Sequence, residues 1–98
     1  MNKIFSFIIF IFGGTLLYSQ NVVVDGVIFS ADGSTLIKYP ENKIDKEYVV
    51  PEGTEIIGEE AFLSTAYLHE ITLPTSLKEI RGRAFAGSSA ICIVWSNF

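Results

Sequence analysis

The sequence has one cysteine, one histidine and only seven lysines and arginines in 98 residues. The lone Cys92 excludes an internal disulfide, so packing alone must hold the fold together. In an aliphatic run, Cys92 is expected to be buried and inert. The lone His69 has no second imidazole to complete a metal site or a proton relay, and beside Glu70 it reads as an exposed loop residue. Eleven acidic residues against seven basic ones give a net charge of −4. Arg81 and Arg83 form a basic pair near Glu79, too little positive charge to track phosphates, which argues against a nucleic-acid partner. Ser88 and Ser89 have no neighbouring base to activate them as nucleophiles. The carboxylates of Glu59 and Glu60 are consecutive, point in different directions and suit a solvated turn. No catalytic residue, metal ligand or cofactor is therefore expected.

The long hydrophobic run that does exist is at the start. Lys3 supplies one positive charge, and residues 4–12 are apolar apart from Ser6. Gly13-Gly14-Thr15 and Leu16-Leu17-Tyr18-Ser19 follow, with a small residue at the expected cut. This pattern is that of a secretory signal over residues 1–19, cleaved near Gln20. It is shorter than the roughly 20 apolar residues of a spanning helix, although an uncleaved signal anchor is the alternative. Removing Lys3 leaves six basic residues against eleven acidic ones, a formal charge of −5. The expected location is secreted or at the cell surface, with membrane contact only through this signal.

The remainder repeats itself. Aligning residues 48–62 with 71–85 places Pro51 on Pro74, Ile57 on Ile80, and Ala61-Phe62 on Ala84-Phe85, all at an offset of 23. Apolar character persists at Tyr48 and Ile71, at Val50 and Leu73, and at Leu68 and Ile91, while Thr65 matches Ser88. Within one unit, Ile71-Thr72-Leu73 alternates as a half-buried strand does. Pro74 cannot donate to a ladder and ends it. Leu77 and Ile80 are expected to face inward, and residues 82–86 to form a tight or single helical turn that carries Phe85 across the core. The spacing Leu68-x-x-Ile71-x-Leu73 is that of a leucine-rich coil.

Ahead of the repeats, residues 22–24, 27–29 and 35–39 read as strands separated by Asp25-Gly26 and Asp32-Gly33 turns. This β-meander and the polar connector at 40–46 make a second region, 20–47, before the repeats at 48–98. One 23-residue unit cannot offset the entropy of its own ordering, so the meander is expected to cover the first repeat as a cap.

Val50-Pro51, Ile56-Ile57-Gly58, Ala61-Phe62, Leu73-Pro74, Ile80 and Ala84-Phe85 resemble the units of the BspA-like leucine-rich-repeat family of bacterial surface proteins. The lead-in from Asp25 to Pro40 is similar to the segment often found before such units, and the likeness spans roughly residues 22 to 91. Two departures stand out. Thr65 and Ser88 occupy the place where the family often has Cys, and Arg81 replaces Gly58 in the second unit. The resemblance implies a mainly β leucine-rich-repeat solenoid fragment with short helical or irregular turns behind a β-meander cap. It implies adhesion to a protein or glycan partner, with no shared catalytic site. A small secreted enzyme is the rival class, and the sequence offers it no machinery.

Residues 91–98 open a third strand that is apolar and carries no charge. Such an edge invites pairing with another chain, and Trp95 and Phe98 are the candidate interface residues. Three explanations compete: a short protein that self-associates through this edge, a truncated relic of a longer repeat protein without independent activity, and an excerpt of a longer chain. The relic is the favoured reading.

Overall fold

The computed structural model describes residues 20–90 and 92–96. Residues 1–19, where a secretory signal is expected, and Ile91, Asn97 and Phe98 lie outside them. Among the described residues there are eight strands: β1 (Val22–Val24), β2 (Val27–Phe29), β3 (Thr35–Lys38), β4 (Glu47–Val49), β5 (Ile56–Ile57), β6 (Glu70–Leu73), β7 (Glu79–Ile80) and β8 (Cys92–Trp95). The connections between them are turns, with no helical turn among the described residues.

The first hairpin follows from its two turn residues. Asp25 and Gly26 both adopt positive φ, 52° and 85°, as a type I′ turn requires, and its twist matches the strands it joins. β1 therefore pairs antiparallel with β2 in the register Val24↔Val27, and β2 pairs antiparallel with β3. The third strand then changes partner type. β3 pairs in parallel with β5, and β5 in parallel with β7, giving a five-stranded sheet in the order β1-β2-β3-β5-β7. A second, three-stranded sheet stacks β4, β6 and β8 in parallel. The meander is thus hydrogen-bonded onto the repeats as an extra rung.

Each repeat forms one coil: a strand of the second sheet, a strand of the first, and a turn that closes the circuit. The turns stack as well. Tyr39 N–H donates to Ala61 O at 2.8 Å, Phe62 N–H to Ala84 O at 2.7 Å and Ser64 N–H to Ala86 O at 2.9 Å. Equivalent turn positions share unusual backbone: Glu60 and Arg83 have φ of 58° and 59°, and Ser64 and Gly87 have 60° and 68°.

The core runs along the coil axis through Val27, Leu36, Tyr39, Val50, Ile57, Phe62, Leu68, Ile71 and Leu73, all essentially inaccessible. Its spine is aromatic. The ring of Phe62 stacks on Tyr39 at 5.1 Å and on Phe85 at 5.0 Å, and Tyr48 meets Tyr39 edge-on at 5.0 Å. Stacked rings of this kind add to the stabilisation from burial alone. Burial pushes the Tyr48 and Tyr39 hydroxyls above their ordinary pKa.

Three expectations change. Residues 79–80 form a strand, and Ile80 is 43% exposed although its neighbour Ile57 is buried, because among the described residues nothing lies over β7. β3 ends at Lys38, which leaves Tyr39 free to turn into the core. The third rung pairs Glu70 with Cys92 and Leu73 with Trp95, one residue short of the 23-residue offset. The replacement of Gly58 by Arg81 also has a packing cause. A Cβ on Gly58 would stand 3.1 Å from the backbone oxygen of Leu36 in β3, whereas Arg81 is exposed, with no strand above it among the described residues.

A candidate binding face and its ladders

The parallel register of β4, β6 and β8 fixes which side chains share a face. Glu47, Glu70 and Cys92 form one row, and Val49, Thr72 and Val94 form the next. Both rows point outward, since strand residues alternate between faces and the intervening Tyr48, Ile71 and Leu73 pack into the core. Val49 is 66% exposed. The result is an outward face on which Val49 and Val94 flank Thr72, beside a row that holds the carboxylates of Glu47 and Glu70. Cys92 is exposed rather than buried, because it stands in the outward row on the last strand. Trp95 is not on this face. Its register places it opposite buried Leu73, in the inward row, and it is 55% exposed at the end of the sheet.

The other polar residues form ladders between coils. Thr75 donates from N–H and Oγ1 to the two carboxylate oxygens of Glu52, at 2.9 and 2.8 Å. Ser76 Oγ accepts from Gly53 N–H and donates to Thr54 O. Buried Thr65 Oγ1 lies 2.6 Å from Ser88 Oγ and donates to Phe62 O. Thr65 and Ser88, at the family's Cys position, thus bond to each other across coils. Ser88 Oγ also accepts from Ala90 N–H, which is a structural role, and Glu60 pairs with Arg83 at 3.2 Å. His69 is exposed just before β6. Among the described residues no group of three or more His, Cys, Asp or Glu is placed to hold a metal.

The two Thr75 hydrogen bonds, the backbone one foremost, hold the exposed Glu52 carboxyl below its ordinary value of 4.5. A lowered folded-state value means that this bridge favours the fold above the ordinary value and ceases to do so as pH falls through the lowered one. An NMR titration should therefore find the Glu52 midpoint below 4.5 and should find it shifted upward in Thr75→Val. Since Thr75→Val keeps the backbone N–H, equal midpoints in the two proteins would show that the hydroxyl bond is absent in solution.

Sequence reading missed the outward rows, although the alternation in Ile71-Thr72-Leu73 already placed Thr72 opposite to the core. It also missed Glu52 with Thr75 and Tyr39 with Phe62, whose members stand 23 residues apart, as the aligned identities do.

No curated protein matches the chain. A crystal structure of a leucine rich cell surface protein from Faecalibacterium prausnitzii A2-165 is similar to it at 32% identity, with a TM-score of 0.71 over 78% of this chain. The chain spans 21% of that protein's length. The family described as BspA type leucine rich repeat region (6 copies) matches residues 41–97, more than half of the sequence. With the stacked coils, the Ala-Phe spine and this match together, the chain belongs to the BspA-type leucine-rich-repeat family.

Proposed function

We propose that the chain is a non-catalytic, exported module that binds a protein partner at the cell surface through the outward face of β4, β6 and β8. The observation that carries this reading is the outward row in which Val49 and Val94 flank Thr72, aligned by parallel register beside the carboxylates of Glu47 and Glu70. A strip of valines around a threonine methyl, with a charged margin, suits another protein surface, where buried contacts supply affinity and the rim excludes water. The likeness to a cell surface protein and the apolar start of the sequence support an exported location.

Capture of extracellular-matrix and host-surface proteins by the immobilised chain tests the reading. A protein retained by the parent chain should be lost from a Val49→Lys, Thr72→Lys variant. Capture that is indifferent to the face variant sinks the proposal. Capture abolished by enzymatic deglycosylation of the retained protein assigns the face to a glycan instead.

A further inference from the structure

We propose that the outward face of β4, β6 and β8 takes an extended protein segment in which an arginine and an aliphatic residue stand two positions apart, with the guanidinium held between Glu47 and Glu70. The proposal rests on the reading of that face as a binding surface.

Its ground is an exception among the ladders. Of the glutamates from 47 to 60, three meet a suitable partner 23 residues on. Glu52 accepts from Thr75, Glu55 lies 3.8 Å from Lys78, and Glu60 lies 3.2 Å from Arg83. Glu59 falls on Gly82. Glu47 alone falls on another carboxylate, that of Glu70, its partner in the parallel register of β4 and β6. Like charges directly opposite one another oppose strand pairing. Among the described residues no cation offsets them. Lys43, Lys78, Arg81 and Arg83 are engaged with other carboxylates, and Lys38 donates to Glu60 O. Lys46 and His69, just before the two strands, form an ion pair with neither glutamate. A repulsion of this kind, on the outward side of two internal rungs, is relieved by a cation that arrives from outside.

The geometry selects that cation and its setting. Neighbouring strands stand about 4.8 Å apart, so two carboxylates in register flank a gap that the planar fork of a guanidinium bridges with one donor to each. A lysine ammonium has no such fork. Val49 and Thr72 follow two residues along the same strands on the same face, roughly 7 Å away at about 3.3 Å per residue. An extended segment repeats its side chains on one face at the same spacing. An arginine over Glu47 and Glu70 therefore sets the residue two positions along over Val49 and Thr72, where an aliphatic side chain is covered from water. The net charge of −4 draws such a segment toward the chain.

Titration of the isotope-labelled full chain with two synthetic peptides, followed through its amide NMR signals, tests the proposal. In the first peptide arginine and valine take turns at every second position with serine between them. In the second, citrulline replaces arginine, which keeps the shape and removes the charge. The arginine peptide should shift the signals of Glu47, Glu70 and Thr72 saturably. The citrulline peptide should bind about tenfold more weakly, and so should the arginine peptide to a Glu47→Gln, Glu70→Gln variant. That variant should keep or raise the urea midpoint, since it removes a repulsion. A lower midpoint would mean that the carboxylates serve the fold, and it overturns the proposal. So does an arginine peptide that leaves the three signals unmoved, or one that binds the double variant as well as the parent. Two peptides that bind alike and are both lost from Val49→Lys, Thr72→Lys would sink the cation and leave the face standing. Failure of the face itself shows in the capture of proteins, which involves neither peptide.

Discussion

Leu36→Asp is expected to abolish cooperative unfolding of the whole chain, with no transition left in a urea titration followed by circular dichroism. Leu36 has no accessible surface and pairs with Ile57 in the parallel β3–β5 ladder. Its backbone oxygen accepts Gly58 N–H at 2.9 Å. A carboxylate at this point would meet Ile57, Phe62 and other apolar neighbours of the same core cluster, all of them uncharged. Burying an unpaired charge costs several kcal/mol even after relaxation, and the lost leucine adds about 2–5 kcal/mol. Small domains have about 5–15 kcal/mol in total, so the penalty consumes most or all of the stability. Val23→Asp in the same meander is the control. Val23 is exposed, and its change should stay within about 0.5 kcal/mol. A Leu36→Asp protein that unfolds near the parent midpoint would show that the meander is not part of the folding unit.

Phe62→Ala comes next in size, with an expected loss of about 3–5 kcal/mol. Phe62 is the middle ring of the spine, in contact with one aromatic from the meander and one from the second coil. Its removal opens a cavity that neither neighbour can fill without leaving its own rung. Phe85→Ala at the partly exposed end of the spine should cost roughly half as much, because part of that site is already in contact with water. Urea midpoints at unchanged slope measure both. Equal losses would mean that the spine ends elsewhere than at Phe85.

What the sequence made legible was periodic. The offset of 23 located Ile57, Ala61, Phe62, Leu68, Ile71 and Leu73, and all six are buried. Asp25-Gly26 announced its hairpin, because few residue pairs accept positive φ twice in succession. Two-residue strands such as β5 and β7 were not legible, since two residues cannot display an alternation. The exposure of Ile80 and Cys92 was hidden for a different reason. A residue pattern reports which way a side chain faces, whereas burial depends on whether something lies above it. Tyr39 was concealed by sitting at the end of a convincing strand, although its spacing to Phe62 matched the repeat. The outward face was legible in part, through the alternation of β6. The ladders of Glu52 with Thr75 and Thr65 with Ser88 required the coil to be closed before their partners met.

The stacked register has a consequence for how the length of such a chain can vary. Each coil returns the backbone to the same lateral position one rung further along, so a duplicated 23-residue unit would enter with every ladder partner in phase. One residue added within a strand would instead exchange its inward and outward faces. The shorter step from β6 to β8 obeys the same constraint: Ile71 still meets Ile93, and the missing residue is absorbed in the segment between Arg81 and Cys92. Length is therefore quantised in whole coils along the solenoid and continuous only at its bends.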